Sequence, residues 1–270
     1  MRRQLACLLL VPFLIVLSHP FTAAQAAPSE QVQVGPPVRR IESPSPTATA
    51  EELEKRADEL RAEKAYLDSL DFFKAALVKN PKSPQIYNKM GIVELQTYHL
   101  NEAKKCFDKA IKLNKQFADA QNNLGVVYYE LKKYGKAIKQ YTKAIDIDES
   151  APSYFSNLGA AYFAMKDFEK ASMAYMKAVQ LDPDIFERTS RTGVAAQLPS
   201  PEDRARYDYT MARLYAKVGM FERSLQYLRR AMEEGYKDIK MVYKDAEFSD
   251  LRKDPRFTAL MTAKPLAIPE

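Results

Sequence analysis

Few residues of this chain belong to the types that catalyse reactions or bind metals, and their spacing keeps them apart. The sequence has 270 residues, with only 2 histidines and 2 cysteines. His19 lies in an apolar N-terminal segment, and His99 has no other histidine or cysteine at metal-ligand spacing. Neither a glycine-rich phosphate loop nor a nucleophile-elbow motif is present. The sequence therefore favours a protein that is not an enzyme and needs no metal or cofactor.

The first 26 residues have the pattern of a signal peptide. Two arginines precede an apolar run over residues 5–17, and an A-x-A cleavage signal ends at Ala26. The run is shorter than the roughly 20 residues of a membrane span. We therefore expect cleavage near Ala26 and Ala27, and export to the periplasm or the medium of a bacterium. Retention of the segment as a membrane anchor is the alternative.

Residues 27–49 are predicted to form a disordered linker, because they contain five prolines among small and polar residues. Removal of the signal peptide would also remove Cys7 and leave Cys106 alone, which excludes an intramolecular disulfide. The net charge of the whole chain is only +6. This balance does not predict a nucleic-acid partner, for which a clustered basic stripe is typical.

Small and aromatic residues recur every 34 positions in the middle of the chain. Two antiparallel helices with their turns have this length, so the period indicates a stack of helical hairpins. Small residues let two helices approach closely, and aromatic residues are expected where one unit reaches into the next. The recurring sets are Gly91, Gly125 and Gly159; Ala103, Ala137 and Ala171; Ala110, Ala144 and Ala178; and Phe107, Tyr141 and Tyr175.

These residues resemble the pattern of the tetratricopeptide repeat (TPR) family. The match is complete in residues 152–185, and the segments 84–117 and 118–151 each depart from it at two positions. The matching residues of the segment 152–185 are Phe155, Leu158, Gly159, Tyr162, Ala171, Tyr175, Ala178 and Pro183. The resemblance implies an all-α fold, a TPR α-solenoid in which helix-turn-helix repeats form a right-handed superhelix.

The period also predicts how the chain is divided. It breaks after Ile185 and resumes 19 residues late, and Ser200 and Pro201 are predicted to open the next helix. The predicted segments are TPR repeats 1–4 at 50–185, an insertion at 186–204, a degenerate fifth repeat at 205–238, capping helices at 239–262 and a tail at 263–270.

The resemblance places the first helix of each repeat on a concave surface. Asparagine carries both donors and an acceptor, so it suits the backbone of a bound peptide, and apolar residues beside it would form a floor. Some of these side chains would instead pack between helices in the alternative interpretation. The predicted peptide-binding groove contains Asn88, Lys89, Ile92, Asn122, Asn123, Val126, Tyr129, Asn157 and Phe163.

The densest basic stretch contains Lys132, Lys133, Lys136, Lys139 and Lys143. The resemblance implies that most of it lies on the second helix of a repeat and faces outward. A solvated outer face is the expectation, and an anionic partner such as membrane lipid is the alternative.

The sequence thus predicts a protein–protein interaction scaffold of the bacterial envelope, which binds an extended or helical peptide segment in its groove. Three alternatives stay open. In the first, the chain is a membrane-anchored accessory subunit of a secretion, pilus or outer-membrane assembly machine. In the second it is a carrier of a small molecule or glycan, and in the third it is a passive spacer.

Overall fold

The computed structural model describes residues 42–187 and 200–263. The predicted signal peptide, residues 27–41 of the predicted linker, residues 188–199 of the predicted insertion and residues 264–270 of the predicted tail lie outside the described residues. All regular structure in the described ranges is helical, so the predicted all-α solenoid is confirmed.

The first eight helices form four antiparallel hairpins joined by short turns. Prolines at the first helical position open several helices, and the hydroxyls of Thr49 and Ser83 accept hydrogen bonds from the first-turn amides of Glu52 and Ile86. The pairs are α1 (Ala50–Ala62) with α2 (Tyr66–Lys79), α3 (Pro84–Gln96) with α4 (Leu100–Leu113), α5 (Ala118–Glu130) with α6 (Tyr134–Ile147), and α7 (Pro152–Ala164) with α8 (Phe168–Leu181).

A glycine in the first helix packs directly against an aromatic ring of the second helix in the three central hairpins. A Cβ atom built on Gly125 would lie 2.5 Å from the Tyr141 ring, and Gly91 and Gly159 meet Phe107 and Tyr175 in the same way. These rings are at most 1 % exposed. Glycine is therefore required at these positions, because the aromatic ring occupies the space that the side chain of any other residue would need.

The first hairpin has a different contact at the position of the glycine. Ala57 stands at the glycine position, and the Ser69 hydroxyl donates a 2.8 Å hydrogen bond to the Ala57 carbonyl. A later hairpin repeats this pair with Ser224 and the carbonyl of Ala212, at 2.7 Å. Both serines are fully buried, so the hydrogen bonds satisfy hydroxyls that would otherwise destabilise the core.

Residues 42–49, at the end of the predicted linker, make defined contacts with the first hairpin. The Lys79 ammonium donates a 2.9 Å hydrogen bond to the carbonyl of Pro46, and Glu42 forms an ion pair with Arg56. Residues 42–49 therefore lie against α1 and α2, although their proline-rich composition predicted disorder.

The fifth hairpin, α9 (Pro201–Lys217) with α10 (Phe221–Glu233), packs in the opposite direction to the others. At the start of α9, the Arg206 guanidinium lies 4.6 Å from the centre of the Phe168 ring, which is the first residue of α8. At the other end, the Tyr215 hydroxyl lies 3.5 Å from the carbonyl of Pro183, just beyond α8. Helix α9 therefore runs parallel to α8, whereas short turns make the earlier neighbours antiparallel.

The long connection between α8 and α9 permits this reversal. It spans residues 182–200, enough chain to return along the roughly 21 Å of a 14-residue helix. Helix α9 starts at Pro201, with the Ser200 hydroxyl accepting from the Asp203 amide, so it begins four residues before the predicted repeat boundary at 205.

The C-terminal segment covers the fifth hairpin with three 3₁₀ turns, at Ile239–Tyr243, Ala246–Phe248 and Leu251–Lys253, and with α11 (Pro255–Ala263). Phe248, Leu251, Phe257 and Leu260 are at most 5 % exposed and share one core cluster with α9 and α10. Within the segment 239–262, which was predicted to form capping helices, α-helical geometry begins only at Pro255.

The packing of Gly125 can be tested with two glycine substitutions. We expect Gly125→Ala to lower the free energy of unfolding by about 1–3 kcal/mol, because the buried Tyr141 ring must move. Gly135→Ala is the matched control, since a Cβ there meets nothing within 4 Å. Denaturant titration should show a loss for the first variant and none for the second. Equal stability of the two variants would contradict the packing account.

A buried carboxyl in the fifth hairpin makes its stability depend on pH. Asp208 of α9 is 8 % exposed, and the nearest cationic atom is the Arg230 Nε at 4.0 Å. Burial raises the pKa of Asp208 to about 6, while Arg230 opposes the shift and Glu234 adds to it. The folded protein then keeps a proton that the unfolded chain loses near pH 3.8, so stability falls as pH rises from about 4 to 6.

Replacing Asp208 by Asn should remove this loss. At pH 7 we expect the variant to be more stable by about 1–2 kcal/mol, a value reduced for the solvent that reaches the carboxyl. Near pH 4 the variant and the wild type should unfold at similar temperatures, because Asp208 is then protonated. Thermal unfolding followed by circular dichroism over this pH range measures both, and a constant difference at all pH values would contradict the assignment.

Candidate interaction groove

Side chains of successive first helices are joined by one hydrogen bond that recurs at each junction. Residue 6 of a repeat donates to residue 5 of the preceding repeat, a separation of 35 residues. The bonds run from Lys89 Nζ to Glu54 Oε1 (2.6 Å), from Asn123 Nδ2 to Asn88 Oδ1 (3.0 Å) and from Asn157 Nδ2 to Asn122 Oδ1 (2.9 Å). We call these three contacts the rungs. They hold α1, α3, α5 and α7 parallel and in register.

The rungs bury most of the asparagines that the sequence predicts in the groove. Asn157 is 0 % exposed, Asn122 6 % and Asn88 7 %. Asn122 and Asn123 also approach each other, with Nδ2 and Oδ1 3.4 Å apart, so the amides form a continuous line across three helices. These three buried side chains form a structural floor beneath the candidate groove, because their hydrogen bonds are made to other asparagines of the same line.

Two predicted aromatic contacts also belong to the core. Tyr129 is 0 % exposed and packs against Tyr134, with ring centres 5.3 Å apart. Phe163 is 3 % exposed and lies between Phe168 and Tyr207. Both stand near the C-terminal end of a first helix, where the next turn brings an aromatic residue back against them. A bound partner does not reach these rings in this arrangement.

Four of the predicted residues remain accessible above the floor. Lys89, Ile92, Asn123 and Val126 are partly exposed, and they lie on neighbouring turns of α3 and α5. Ile92 and Val126 are apolar, whereas Lys89 and Asn123 carry hydrogen-bonding groups. The groove therefore offers a short apolar strip beside a polar one.

A charged cluster that the sequence did not assign to the groove lies at its N-terminal end. The Lys89 ammonium contacts Glu54 and Asp58, each at 2.6 Å. Partial burial disfavours the charge of Lys89, but hydrogen bonds to Asp58 and Glu54 outweigh it and raise its pKa. The 35-residue spacing of Glu54 and Lys89 is the signal that could have found this pair.

A second contact of the same spacing joins Tyr154 to Asp119. The Tyr154 hydroxyl donates a 2.6 Å hydrogen bond to the Asp119 carboxylate, and burial followed by this contact raises the pKa of Tyr154. It adds another fixed point to the α5–α7 junction. The tyrosine is 3 % exposed, so its role is structural.

The residues considered for chemistry are dispersed. The His99 Nδ1 lies 3.0 Å from the Glu94 carboxylate and 3.1 Å from the Thr97 hydroxyl, in the turn before α4. Burial raises the pKa of Cys106 to about 11, so its thiol stays protonated at neutral pH. In residues 42–187 and 200–263, no three His, Cys, Asp or Glu side chains lie close enough together to hold a metal ion.

None of the helices in these two ranges is both long and apolar enough to cross a membrane.

The rungs can be tested by a double-mutant cycle on Asn122 and Asn157. We expect the two alanine substitutions to be coupled by about 0.5–1.5 kcal/mol, the net worth of one buried hydrogen bond. The control cycle pairs Asn122→Ala with Asn80→Ala, because Asn80 is exposed at the end of α2. Denaturant unfolding should show additive effects for the control alone. Additive effects in both cycles would show that the hydrogen bond between Asn157 and Asn122 does not contribute to the free energy of unfolding.

Comparison with family models identifies the repeats. Residues 99–132 and 127–166 match a model described as TPR repeat, and residues 152–185 match a model described as tetratricopeptide repeat. No curated protein matches the sequence.

Solved structures resemble the fold at low sequence identity. A MamA fragment from Desulfovibrio magneticus RS-1 is 18 % identical, with a TM-score of 0.50, over 70 % of this chain and 97 % of that one. TTC0263, a thermophilic TPR protein of Thermus thermophilus, is 18 % identical, with a TM-score of 0.49, over 79 % and 100 %. YrrB, described as a TPR protein with an unusual peptide-binding site, is 19 % identical, with a TM-score of 0.47, over 69 % and 86 %.

At these identities the solved structures support only the fold. The assignment of the repeats comes from the matched family models. The matched residues 99–185 contain the glycine–aromatic pairs of two complete hairpins and the rung from Asn157 to Asn122. Residues 99–185 of the chain are therefore tetratricopeptide repeats.

Proposed function

We propose that the protein is a non-enzymatic interaction scaffold, which holds an extended or helical segment of a protein partner against α1, α3, α5 and α7. The observation that carries the proposal is the set of rungs. They fix the floor of the groove through hydrogen bonds that are complete before a partner arrives. A preformed surface loses little conformational entropy on binding, which favours affinity.

The accessible groove residues suit a peptide. Ile92 and Val126 offer apolar contact to alternate side chains, and the Asn123 carbonyl oxygen keeps a free lone pair for a backbone N–H. Lys89 is held by Glu54 and Asp58, so the N-terminal end of the groove presents fixed charges of both signs. Such a mixture orients a segment that crosses several helices.

We further propose that this scaffold acts outside the cytoplasm, in the bacterial envelope. The support is the sequence pattern of residues 1–26, with two arginines, an apolar run and an A-x-A signal.

A matched pair of arginine substitutions tests the groove. Val126→Arg places a large cation in the apolar strip, and Thr142→Arg places the same group on the exposed outer face of α6. We expect Val126→Arg to reduce the amount of crosslinked partner about tenfold or more, and Thr142→Arg to leave it unchanged. Quantitative mass spectrometry after crosslinking in the producing cells measures both, and circular dichroism confirms that each variant is folded.

Equal capture by the two folded variants, at the level of the wild type, would contradict the proposal. Loss of capture in Thr142→Arg alone would place the contact on the outer face of α6 instead.

A further inference from the structure

We propose that the outer face of α4 and α6 docks on an anionic lipid membrane. The face consists of six exposed lysines, which we call the lysine face. They are Lys109 and Lys112 of α4, Lys132 in the turn before α6, and Lys136, Lys139 and Lys143 of α6. This inference concerns the side of the stack opposite the groove and does not depend on the groove binding a peptide.

The charge of this face is not balanced by the rest of the described protein. None of the six ammonium groups lies within 4.0 Å of a carboxylate in residues 42–187 and 200–263. Two acids of α4 are already paired, Asp108 with Lys104 and Glu102 with Lys105, and Asp146 follows the lysines at the end of α6. The sequence from 131 to 145 contains no acidic residue. The face therefore carries several uncompensated positive charges.

The lysines are aligned rather than scattered. Lys136, Lys139 and Lys143 follow one another at three- and four-residue spacing, so they lie on one stripe of α6, and Lys132 lies in the turn before it. Lys109 and Lys143 are 34 residues apart and hold the same position in neighbouring repeats. Like charges at this spacing disfavour the helix. An anionic surface would relieve that repulsion.

Contacts with aromatic rings hold two of these side chains along the surface. The Lys136 ammonium lies 5.8 Å from the centre of the Tyr128 ring, and the Lys109 ammonium lies 5.8 Å from the centre of the Tyr87 ring. The rings support the lysine stems while both residues stay exposed. These two cations are therefore held at the surface of the lysine face.

The chemistry of the face favours lipid headgroups over a protein. Protein interfaces are depleted in lysine and depend on buried aromatic, apolar or arginine side chains. Among the described residues, α4 and α6 contain no exposed large hydrophobic side chain. Lysine is a compact point charge, which suits mobile phosphate headgroups.

The same features argue against nucleic acid as the partner. Single-stranded binding relies on exposed aromatic or arginine side chains that stack on bases. The sequence from 62 to 187 contains no arginine. The aromatic rings beneath Lys109 and Lys136 are covered by the lysines themselves.

The edge of the stack beside the lysine face adds apolar groups that suit the membrane interface. The turns of successive hairpins lie at the same end of the stack. Tyr98 is 65 % exposed in the turn before α4, and Met165 is 54 % exposed in the turn before α8. They flank Lys132, which occupies the equivalent turn between them. An aromatic and an apolar side chain beside cations are typical of surfaces that insert shallowly among headgroups.

Vesicle sedimentation tests the proposal. The sample is the protein purified from its producing cells, with its N-terminus identified by mass spectrometry. We expect binding to vesicles of phosphatidylglycerol mixed with phosphatidylcholine, weakening as salt increases, and no comparable binding to phosphatidylcholine alone. Lys136→Gln, Lys139→Gln and Lys143→Gln together should weaken binding about tenfold or more. The control removes equal charge through Lys55→Gln, Lys82→Gln and Lys244→Gln, all exposed and outside the lysine face.

Four results would overturn the proposal. They are equal binding to both vesicle types, equal losses in the two triple variants, full binding by the α6 variant, and tighter binding to duplex DNA or polyglutamate than to the mixed vesicles. Thermal unfolding of both variants verifies that each is folded. Because the groove lies on other helices, Val126→Arg should leave vesicle binding unchanged, so failure of either proposal is seen separately.

Discussion

The hydrogen bond between residue 6 of one repeat and residue 5 of the preceding repeat is the contact on which the stack depends. It fixes the register of α1, α3, α5 and α7, and it replaces the apolar contacts expected on a groove floor with amide and charge contacts. A buried amide that lost its partner would be strongly unfavourable, so the rungs select one arrangement of neighbouring hairpins. The same bonds remove Asn88, Asn122 and Asn157 from the accessible surface and leave Asn123 partly exposed.

The absence of a rung after α7, among the residues that the structure describes, explains why the fifth hairpin can reverse. The hydroxyl of Thr210, six residues into the predicted fifth repeat, bonds the carbonyl of Arg206 in its own helix. Aromatic contacts take over, with Tyr207 packed against Phe163 and Tyr175. These contacts are less directional than amide hydrogen bonds, so they tolerate α9 running parallel to α8. The groove therefore ends at α7, and the fifth hairpin with the C-terminal segment closes the core.

The sequence predicted the hairpins because a 34-residue period in Gly, Ala and aromatic residues reports packing within each repeat. It could not separate the groove from its floor. Asn122 and Asn123 are adjacent and chemically identical, and only the path of the next helix buries the first of them. Tyr129 and Phe163 were assigned to the groove for the same reason, since an aromatic residue suits both a core and a surface. The direction of α9 was also hidden, because the 34-residue period breaks after Ile185 and does not report how the helices on the two sides of the break are oriented.

Site-specific photocrosslinking tests the central claim, that the rung-supported side of the stack contacts a polypeptide partner, most directly. A photoreactive amino acid would be placed at Asn123 in one protein and at Lys139 in another, and crosslinked peptides would be identified by mass spectrometry after irradiation of the producing cells. The account predicts that a partner peptide is attached at position 123 and none at position 139. A partner peptide attached at position 139 with none at 123 would contradict it.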